Sequence, residues 1–319
     1  MSTIYLLSKD SYARKDASRI LLEKGGKLIG RLPLRSLSSL VVGPNANIST
    51  ALLFACLQER IPVFFVDQSG RLLSQLVNDK LSLQRLQGQL SALSDKTHCL
   101  LLAKQIVLEK ARNQYHLIKT YEKSITNPNL TKILSDIKIL QKEIPFAASE
   151  NELRGIEGSL AKTYFQIFPI LLDQRTWKWQ NRNRRPARDP VNALLNFGYA
   201  FLEREVRLAL IAENVDLRMG IFHSSDGRKD SLVFDVMELF RQPVIDRFIL
   251  NLLRRNTFKP KDFNEDEENG FRLNPKALFL WYERYERYMS TAYKEFDGRT
   301  PREQIQYRSS HLITEIFPS

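Results

Sequence analysis

Four residues with metal-binding side chains occur in two segments of the chain. His223 lies a short loop ahead of a predicted helical turn that carries Asp235 and Glu238. These two carboxylates are three residues apart, so they share one face of their helix. Glu157 lies upstream on another predicted helix. Imidazole and carboxylate ligands suit Mg²⁺ or Mn²⁺ and leave positions for phosphate oxygens and water, which indicates metal-dependent chemistry at a phosphate.

Spacing alone leaves a second interpretation open, in which these are ordinary surface acids and a hydrogen-bonded histidine. The other histidines, His98, His116 and His311, have no accompanying pair of acids and are interpreted as structural or solvent-exposed. Other chemistries have no support. Ser159 is not set in a Gly-x-Ser-x-Gly elbow, and the sequence contains no phosphate-binding loop and no dinucleotide fingerprint.

A basic and aromatic stretch, RTWKWQNRNRRPARDP, is a candidate for nucleic-acid contact. Trp177 and Trp179 flank Lys178 in it. Arginine binds phosphates through paired hydrogen bonds, and exposed indole rings can stack on unpaired bases. The alternative is a solvated loop whose tryptophans pack on the core. The arginines that follow these tryptophans are Arg182, Arg184, Arg185 and Arg188.

The composition is that of a folded protein with polyanionic partners. The chain has 319 residues, 43% of them hydrophobic, and its 48 Lys and Arg against 36 Asp and Glu give a net charge of +12. This charge favours DNA, RNA or an anionic membrane surface as partner. No apolar run approaches the roughly 20 residues of a membrane helix, and the N-terminal residues lack a signal-peptide pattern. Because Cys56 and Cys99 fit a reducing cytosol and exclude a cysteine-based zinc site, we expect a cytoplasmic, nucleic-acid-binding protein without a membrane partner.

Residues 1–80 are predicted to form a small β-rich domain, followed by a linker near residues 78–88. Gly25–Gly26 and the QSG segment favour hairpin turns. A helix in STALLFACLQER, capped by Ser49 or Thr50, is expected to pack on the sheet. Apolar segments between turn residues mark the strands: IYLL, RILLE, KLIGRLPL, SLSSLVVG, IPVFFVD and RLLSQLV.

From about Leu81 the apolar residues recur every three or four positions, which predicts a larger all-α domain at residues 81–319. Ser149 and Glu152 predict a capping box at the start of one helix, and Pro190 lies in the first turn of another. The charged stretch KPKDFNEDEENG is interpreted as an exposed loop. The predicted fold class is therefore α+β, with the candidate chemistry confined to the second domain.

The segments that carry these residues resemble one known family. LRGIEGSLAKTYFQIF, RRPARDPVNALLNFGYAFL and FHSSDGRKDSLVFDVMELFRQPVIDR resemble motifs of CRISPR-associated protein one, the metal-dependent integrase and endonuclease of CRISPR adaptation. ISTALL, IPVFFVDQSGRLL and LVVG resemble the β-domain of that family. The similarity runs through nearly the whole chain, although the tail after Asp297 adds nothing to it.

The resemblance implies an active site and its cofactor. Glu157, His223 and Glu238 fall on the family's metal ligands and are expected to hold one Mg²⁺ or Mn²⁺. Asp235 falls on a neighbouring acidic position, either as an additional ligand or behind the ligands, so all four are expected to be catalytic. Tyr164 lines the DNA path or packs in the core. The other side chains expected to bind DNA are Lys178, Arg184, Arg185, Arg188 and Arg247.

The resemblance also implies an assembly and a reaction. Homodimers would form mainly through the dimerisation domain at residues 1–80, and two of them would flank a dimer of CRISPR-associated protein two in a heterohexamer. That family joins the 3′-hydroxyl ends of a partly duplex prespacer to the CRISPR repeat by transesterification. Because water can replace the hydroxyl, the same site could also hydrolyse DNA.

Three other functions compete with this one. A structure-specific DNase would use the same metal site but would leave cut strands instead of joined strands. A non-enzymatic scaffold would bind nucleic acid through its basic residues, and its acids would be dispensable. A membrane-surface protein would need an amphipathic basic helix, which the sequence does not support.

Overall fold

The structure is a computed structural model, which describes residues 2–78, 82–122, 124–184, 186–223, 229–266, 268 and 270–317. The chain divides into two compact units, residues 1–80 and 81–319. The first unit is rich in strands and the second is mostly helical, which confirms the predicted α+β class. No helix in the described ranges is long and apolar enough to cross a membrane.

The strands of the first unit form two sheets. They are β1 (Ser2–Leu6), β2 (Ser11–Asp16), β3 (Arg19–Lys24), β4 (Lys27–Pro33), β5 (Leu37–Val42), β6 (Asn47–Ile48), β7 (Val63–Val66) and β8 (Leu72–Leu76). One sheet has the order β1–β5–β7–β8, in which β8 alone runs antiparallel to its neighbour. The other has the order β4–β3–β2–β6, in which β2 and β6 are parallel. Each of the six segments predicted as a strand contains one.

Local sequence accounts for the hairpins and for one strand that the prediction missed. Gly25 and Gly26 have φ values of 56° and 75° between β3 and β4, as a tight hairpin turn requires. Strands β2 and β6 were not predicted, and β2 has the polar sequence SYARKD. Its buried positions are taken by the small residues Ser11 and Ala13, so it lacks the large apolar residues that mark the other strands.

The predicted helix of the first unit is α1 (Thr50–Gln58). Ser49 caps it by accepting a hydrogen bond from the backbone N–H of Leu52 at 3.2 Å. Leu52 and Cys56 are fully buried in one core with strand residues such as Leu40. Burial raises the pKa of the Cys56 thiol to about 11, which agrees with its interpretation as a small buried apolar residue.

The second unit begins with a helix where the sequence predicted a linker. Ser82 caps α2, which starts at Leu83, so the linker prediction was wrong for residues 83–88. The helices of this unit are α2 (Leu83–Ser94), α3 (Lys96–Glu122), α4 (Pro128–Glu143), α5 (Glu150–Phe165), α6 (Phe168–Leu171), α7 (Gln174–Trp177), α8 (Pro190–Ala212), α9 (Ser231–Met237), a π-helical segment (Arg241–Asp246), α10 (Arg247–Arg254), α11 (Pro275–Met289) and α12 (Pro301–Ile316).

A hairpin of β9 (Phe263–Asp266) and β10 (Gly270–Leu273) begins within the stretch predicted as an exposed loop. Most described residues of that stretch are exposed, as predicted, but Phe263–Asp266 form a strand, so the interpretation as a loop was wrong for them. Phe263 is buried, and the backbone N–H of Phe271 donates to the carbonyl of Ala187 at 2.9 Å. Gly270 has a φ of 68°, and a Cβ there would lie 2.2 Å from that carbonyl oxygen. Only glycine permits this approach, which ties the hairpin to the basic stretch ahead of α8.

Helix α8 packs against α9, α12 and the π-helical segment. Asp189 caps it by accepting from the N–H of Asn192 at 2.8 Å, and Pro190 occupies its first turn as predicted. At Gly198 an added Cβ would lie 2.7 Å from Cγ2 of Ile245, so glycine allows α8 and the π-helical segment to lie close together.

Candidate active site

Glu157 lies on α5, whose start is capped almost as the sequence predicted. Ser149 Oγ accepts from the N–H of Glu152 at 3.2 Å. The Glu152 carboxylate accepts from the N–H of Ala148 at 2.6 Å, one residue earlier than in a standard capping box. Glu157 follows about two turns along the helix, which packs against α3.

Lys110 of α3 lies between Glu157 and Glu238. Its Nζ forms an ion pair with Oε1 of Glu157 and lies 2.7 Å from Oε2 of Glu238. The side chains of Lys110 and Glu238 are each 8% exposed. The contact with Glu238 is likewise an ion pair. Two acids from separate helical segments therefore share one buried cation.

Glu238 directly follows α9, and its charged carboxylate is buried. Its Oε1 accepts a hydrogen bond from Nε of Arg241 at 2.8 Å. Burial by itself would raise the pKa of Glu238, but the positive charges of Arg241 and Lys110 lower that pKa to about 2. The carboxylate is therefore ionised at neutral pH.

His223 and Asp235 form a second contact, which is partly buried. Nδ1 of His223 lies 2.6 Å from Oδ1 of Asp235, which is fully buried. The same carboxylate accepts the backbone N–H groups of Ile221, Phe222 and His223 at 2.5, 3.1 and 2.9 Å. A hydrogen on Nδ1 satisfies this contact and leaves the lone pair of His223 on Nε2. With its oxygens occupied in this way, Asp235 holds both the backbone at residues 221–223 and the ring of His223.

Asp235 and Glu238, which were predicted to share a helix face, contact different neighbours. Helix α9 ends at Met237, so Asp235 faces the chain at 221–223 whereas Glu238 faces Lys110. The described residues contain no group of three or more His, Cys, Asp or Glu side chains placed to hold a metal ion. The structure thus brings Glu157 and Glu238 together, without His223 as a third member of their cluster.

The donor atoms themselves suit a hard divalent cation. Glu238 presents a buried oxygen, Oε2, to the ammonium group of Lys110 at 2.7 Å. Glu157 presents a carboxylate to the same ammonium group. Oxygen ligands of this kind match the preferences of Mg²⁺ and Mn²⁺.

A cavity of about 660 Å³ opens beside the two acids, Lys110 and Arg241. A wall with this many cationic side chains attracts phosphate groups. Other charged and amide side chains in the wall are Lys162, Arg182, Arg184, Gln114, Gln180 and Gln242.

Comparison with known proteins assigns this chain to a family. Residues 4–287 match the family described as CRISPR associated protein Cas1. The chain belongs to this family. A CRISPR-associated endonuclease Cas1 of Thermodesulfovibrio yellowstonii is 32% identical over 285 residues, which are 85% of each chain. A CRISPR-associated exonuclease Cas4/endonuclease Cas1 fusion of Leptospira interrogans is 32% identical over 271 residues, 82% of this chain and 50% of the fusion, so this chain spans about half of that relative.

Solved structures show the same fold. A CAS1 protein from Thermotoga maritima has a TM-score of 0.86 at 23% identity, with 100% of this chain and 98% of that chain covered. A Cas6-RT-Cas1–Cas2 complex gives 0.82 at 22% identity, over 99% of this chain and 35% of the matched chain. A casposase bound to an integration product gives 0.82 at 20% identity, over 99% and 91%. Together with the family match, these structures confirm the predicted resemblance to the Cas1 family.

The predicted DNA-binding residues of the basic stretch differ in whether they line the cavity beside the acids. Arg184 is exposed and lines the cavity that contains Glu157. Lys178 and Arg188 are also exposed but are not among the residues that line it. Arg185 lies outside the described residues. In this Cas1-family chain, Arg184 is therefore the best placed of these side chains to meet a phosphate near the acids.

Two other predicted DNA contacts are engaged within the protein. Arg247 is ion-paired with Glu295 at 3.0 Å and its side chain is 22% exposed. Tyr164 is fully buried and donates its hydroxyl to Asp246 at 2.8 Å. Tyr164 exposes no surface to DNA in this conformation. Of the two alternatives given for it, lining the DNA path or packing in the core, the structure shows packing in the core.

The tryptophans of the basic stretch also pack in the core. Trp177 and Trp179 are buried, and the Trp179 ring stacks on Phe168 with 4.8 Å between ring centroids. Arg182 donates to the side-chain oxygens of Asn192 and Asn196 at 2.8 and 2.7 Å. Stacking of these indoles on DNA bases is thereby excluded, and Arg182 holds the stretch against α8.

Sequence reasoning missed Lys110 and Arg241. Lys110 follows Ile106 and Val107 by four and three residues, so it lies on the buried face of α3 with them. A lysine on an apolar helix face was the available signal, since lysine is almost never buried without a partner. Arg241 gave a similar signal, three residues beyond Glu238.

Proposed function

We propose that this Cas1-family chain is a metal-dependent enzyme that joins prespacer 3′-hydroxyl ends to a CRISPR repeat, and that it also cuts DNA as an endonuclease. The observation that carries the proposal is the convergence of Glu157 and Glu238 at the wall of a cavity lined by cationic side chains. Family membership supports it, because relatives at 32% identity are named endonucleases.

In this proposal, Glu157, Glu238 and His223 hold one Mg²⁺ or Mn²⁺. When bound, the ion supplies Lewis acidity at the scissile phosphate. Glu238 offers an ionised carboxylate because its pKa is about 2. Asp235 acts through His223: by accepting from Nδ1 it fixes the ring orientation and leaves Nε2 available.

The proposed reaction exchanges one phosphodiester bond for another. The 3′-oxygen of the prespacer bonds to a phosphorus atom of the repeat, and the bond from that phosphorus to the repeat's own 3′-oxygen breaks. The attacking hydroxyl loses a proton and the released oxygen gains one, so no external energy source is needed. Arg184 and Lys162 of the cavity wall would neutralise the DNA phosphates. With water as the nucleophile, the same exchange is endonuclease cleavage.

The proposed partners are DNA, a second copy of this chain, and CRISPR-associated protein two in a heterohexamer. The Cas6-RT-Cas1–Cas2 complex supports the protein partner, since its Cas1 part shares this fold. The first unit exposes Ile29, Phe54 and Leu73, which offer apolar area for a homodimer contact. A DNA substrate also favours a cytoplasmic location.

An assay of product type tests the proposal. Purified chain and CRISPR-associated protein two are incubated with labelled prespacer and a supercoiled repeat-bearing plasmid, in Mn²⁺, in Mg²⁺ and in chelator. Metal-dependent transfer of label to the plasmid is the expected result. Cutting without joining would replace the proposal with a structure-specific DNase, and DNA binding with neither activity would replace it with a scaffold.

A further inference from the structure

Lys110 places a buried ammonium group against both acids of the proposed metal site. Its side chain is 8% exposed, and it pairs with Glu157 while lying 2.7 Å from Oε2 of Glu238. Lysine is rarely buried in this way unless its charge is compensated. Without any further ion, the acids therefore already have a cation between them.

A second cation, Arg241, also lies at this site. Arg241 donates to Oε1 of Glu238 at 2.8 Å, and its guanidinium lies 4.5 Å from the centre of the Tyr199 ring. With Glu157 and Lys110, the site contains two carboxylates and two cations, so it is close to neutral before a divalent ion enters. A divalent ion at these carboxylates must bind against the ammonium charge or displace it.

Helix α3 carries a second group to which a displaced Lys110 ammonium could donate a hydrogen bond. Gln114 lies one helical turn beyond Lys110 on α3 and lines the same cavity. Its Oε1 is buried and has no hydrogen-bond partner among the described residues. The lysine stem is long and flexible, so its Nζ can turn from the acids towards this acceptor without a movement of the helix.

We propose that Lys110 is a positioning residue that holds Glu157 and Glu238 together in the metal-free protein and weakens metal binding by competing with the divalent ion. This inference rests on the proposed function, because it concerns the same acid pair. Removing the ammonium has two opposite consequences. The metal-free protein loses stability because two carboxylates lose their shared partner, and the divalent ion binds more tightly because its competitor is gone.

The experiment measures Mn²⁺ affinity and thermal unfolding, neither of which needs DNA or activity. Titrations followed by the electron paramagnetic resonance of free Mn²⁺ compare wild type, Lys110→Met, Lys110→Arg and Lys162→Met. We expect Lys110→Met to bind Mn²⁺ about tenfold more tightly, since it removes a charge next to the ion. Lys110→Arg keeps the charge and should bind as weakly as wild type. Lys162→Met removes a charge from the same cavity wall and is the matched control, with a smaller effect.

In chelator, the melting temperature of Lys110→Met should be lower than that of wild type and of Lys162→Met. Saturating Mn²⁺ should then raise its melting temperature more than that of wild type. Suppose that wild type binds Mn²⁺ and Glu157→Gln does not. If folded Lys110→Met then binds Mn²⁺ no more tightly than wild type, the role of Lys110 is overturned and the metal site stands. Equal binding by wild type and Glu157→Gln would overturn the metal site itself and this inference with it.

Discussion

Nδ1 of His223 lies 2.6 Å from Oδ1 of Asp235, a buried carboxylate that also accepts three backbone N–H groups from residues 221–223. The carboxylate therefore shapes the chain around His223 and fixes its ring at the same time. Because a ligating imidazole depends on the acceptor at its other nitrogen, this contact connects the fold of one loop to the proposed chemistry.

We expect Asp235→Asn to damage both stability and metal binding. Its amide NH₂ would face backbone donors, so the free energy of unfolding should fall by about 1–3 kcal/mol. Replacement of the charged acceptor at Nδ1 by a neutral amide oxygen should weaken Mn²⁺ binding by about 10–100-fold. Urea unfolding and Mn²⁺ titration measure the two effects. Asp95→Asn is the control, since Asp95 accepts backbone N–H groups at the start of α3 and asparagine does this equally well. Wild-type Mn²⁺ affinity in folded Asp235→Asn would contradict the support given to His223.

Glu238 should contribute stability that depends on pH. Its pKa is lowered from an ordinary 4.5 to about 2 in the folded protein, so its contribution is present above pH 4.5 and is lost as the pH falls towards 2. A shift of this size corresponds to about 3 kcal/mol. The deficit in unfolding free energy of Glu238→Gln should therefore grow as the pH rises from 3 to 5. Denaturant unfolding of both proteins across this range measures it, and a deficit that stays constant with pH would refute the ion-paired state of Glu238.

Asp246 should show the opposite dependence. Burial raises its pKa from 3.8 to about 6, although the hydroxyls of Tyr199 and Tyr164 donate to it. The folded protein keeps this carboxyl protonated where the unfolded chain ionises it, so stability is lost as the pH rises from 3.8 towards 6. The destabilisation caused by Asp246→Asn should thus be larger at pH 4 than at pH 7, by about 3 kcal/mol. The same unfolding series tests this, and a deficit that increases towards pH 7 would show that Asp246 is ionised in the folded protein.

The hairpin next to the basic stretch leads to a prediction about the backbone conformation and close contact at Gly270. Gly270→Ala would place a Cβ 2.2 Å from the carbonyl oxygen of Ala187, in addition to the strain of a positive φ. Gly298→Ala meets nothing within 4 Å at a φ of 79°, so it isolates the strain alone, about 1 kcal/mol. We expect Gly270→Ala to be the more destabilising variant by thermal unfolding and to weaken DNA binding. Equal melting temperatures for the two variants would show that the hairpin does not need its contact with Ala187.

The sequence predicted elements where apolar residues dominate and failed where small or charged residues form strands. Strand β2 buries only Ser11 and Ala13 among its inward positions, and β9 is anchored by Phe263 while its acids face solvent. Pairing with a segment distant in the chain supplies for β2 what its own composition does not, since β2 pairs with β6. For β10 the distant partner is Ala187.

At the site, residue types and family resemblance identified Glu157, His223, Asp235 and Glu238, but not their partners. Helical periodicity assigned Asp235 and Glu238 to one face, whereas α9 ends between them and turns them towards different neighbours. The contact of Lys110 with both glutamates depends on how α3 packs against α5 and on where α9 ends. Such contacts are set by tertiary packing, which spacing along one helix does not encode.

The most direct test of the central proposal is prespacer joining by Glu157→Gln, compared with wild type in Mn²⁺ and with Glu143→Gln, which changes an exposed glutamate at the end of α4. DNA binding by each protein is measured in parallel. We predict that Glu157→Gln binds DNA but joins it at least about a hundredfold more slowly, because the site loses a charged metal ligand. Glu143→Gln should join like wild type. Joining by Glu157→Gln at the wild-type rate would contradict the assignment of this acid pair as the catalytic metal site.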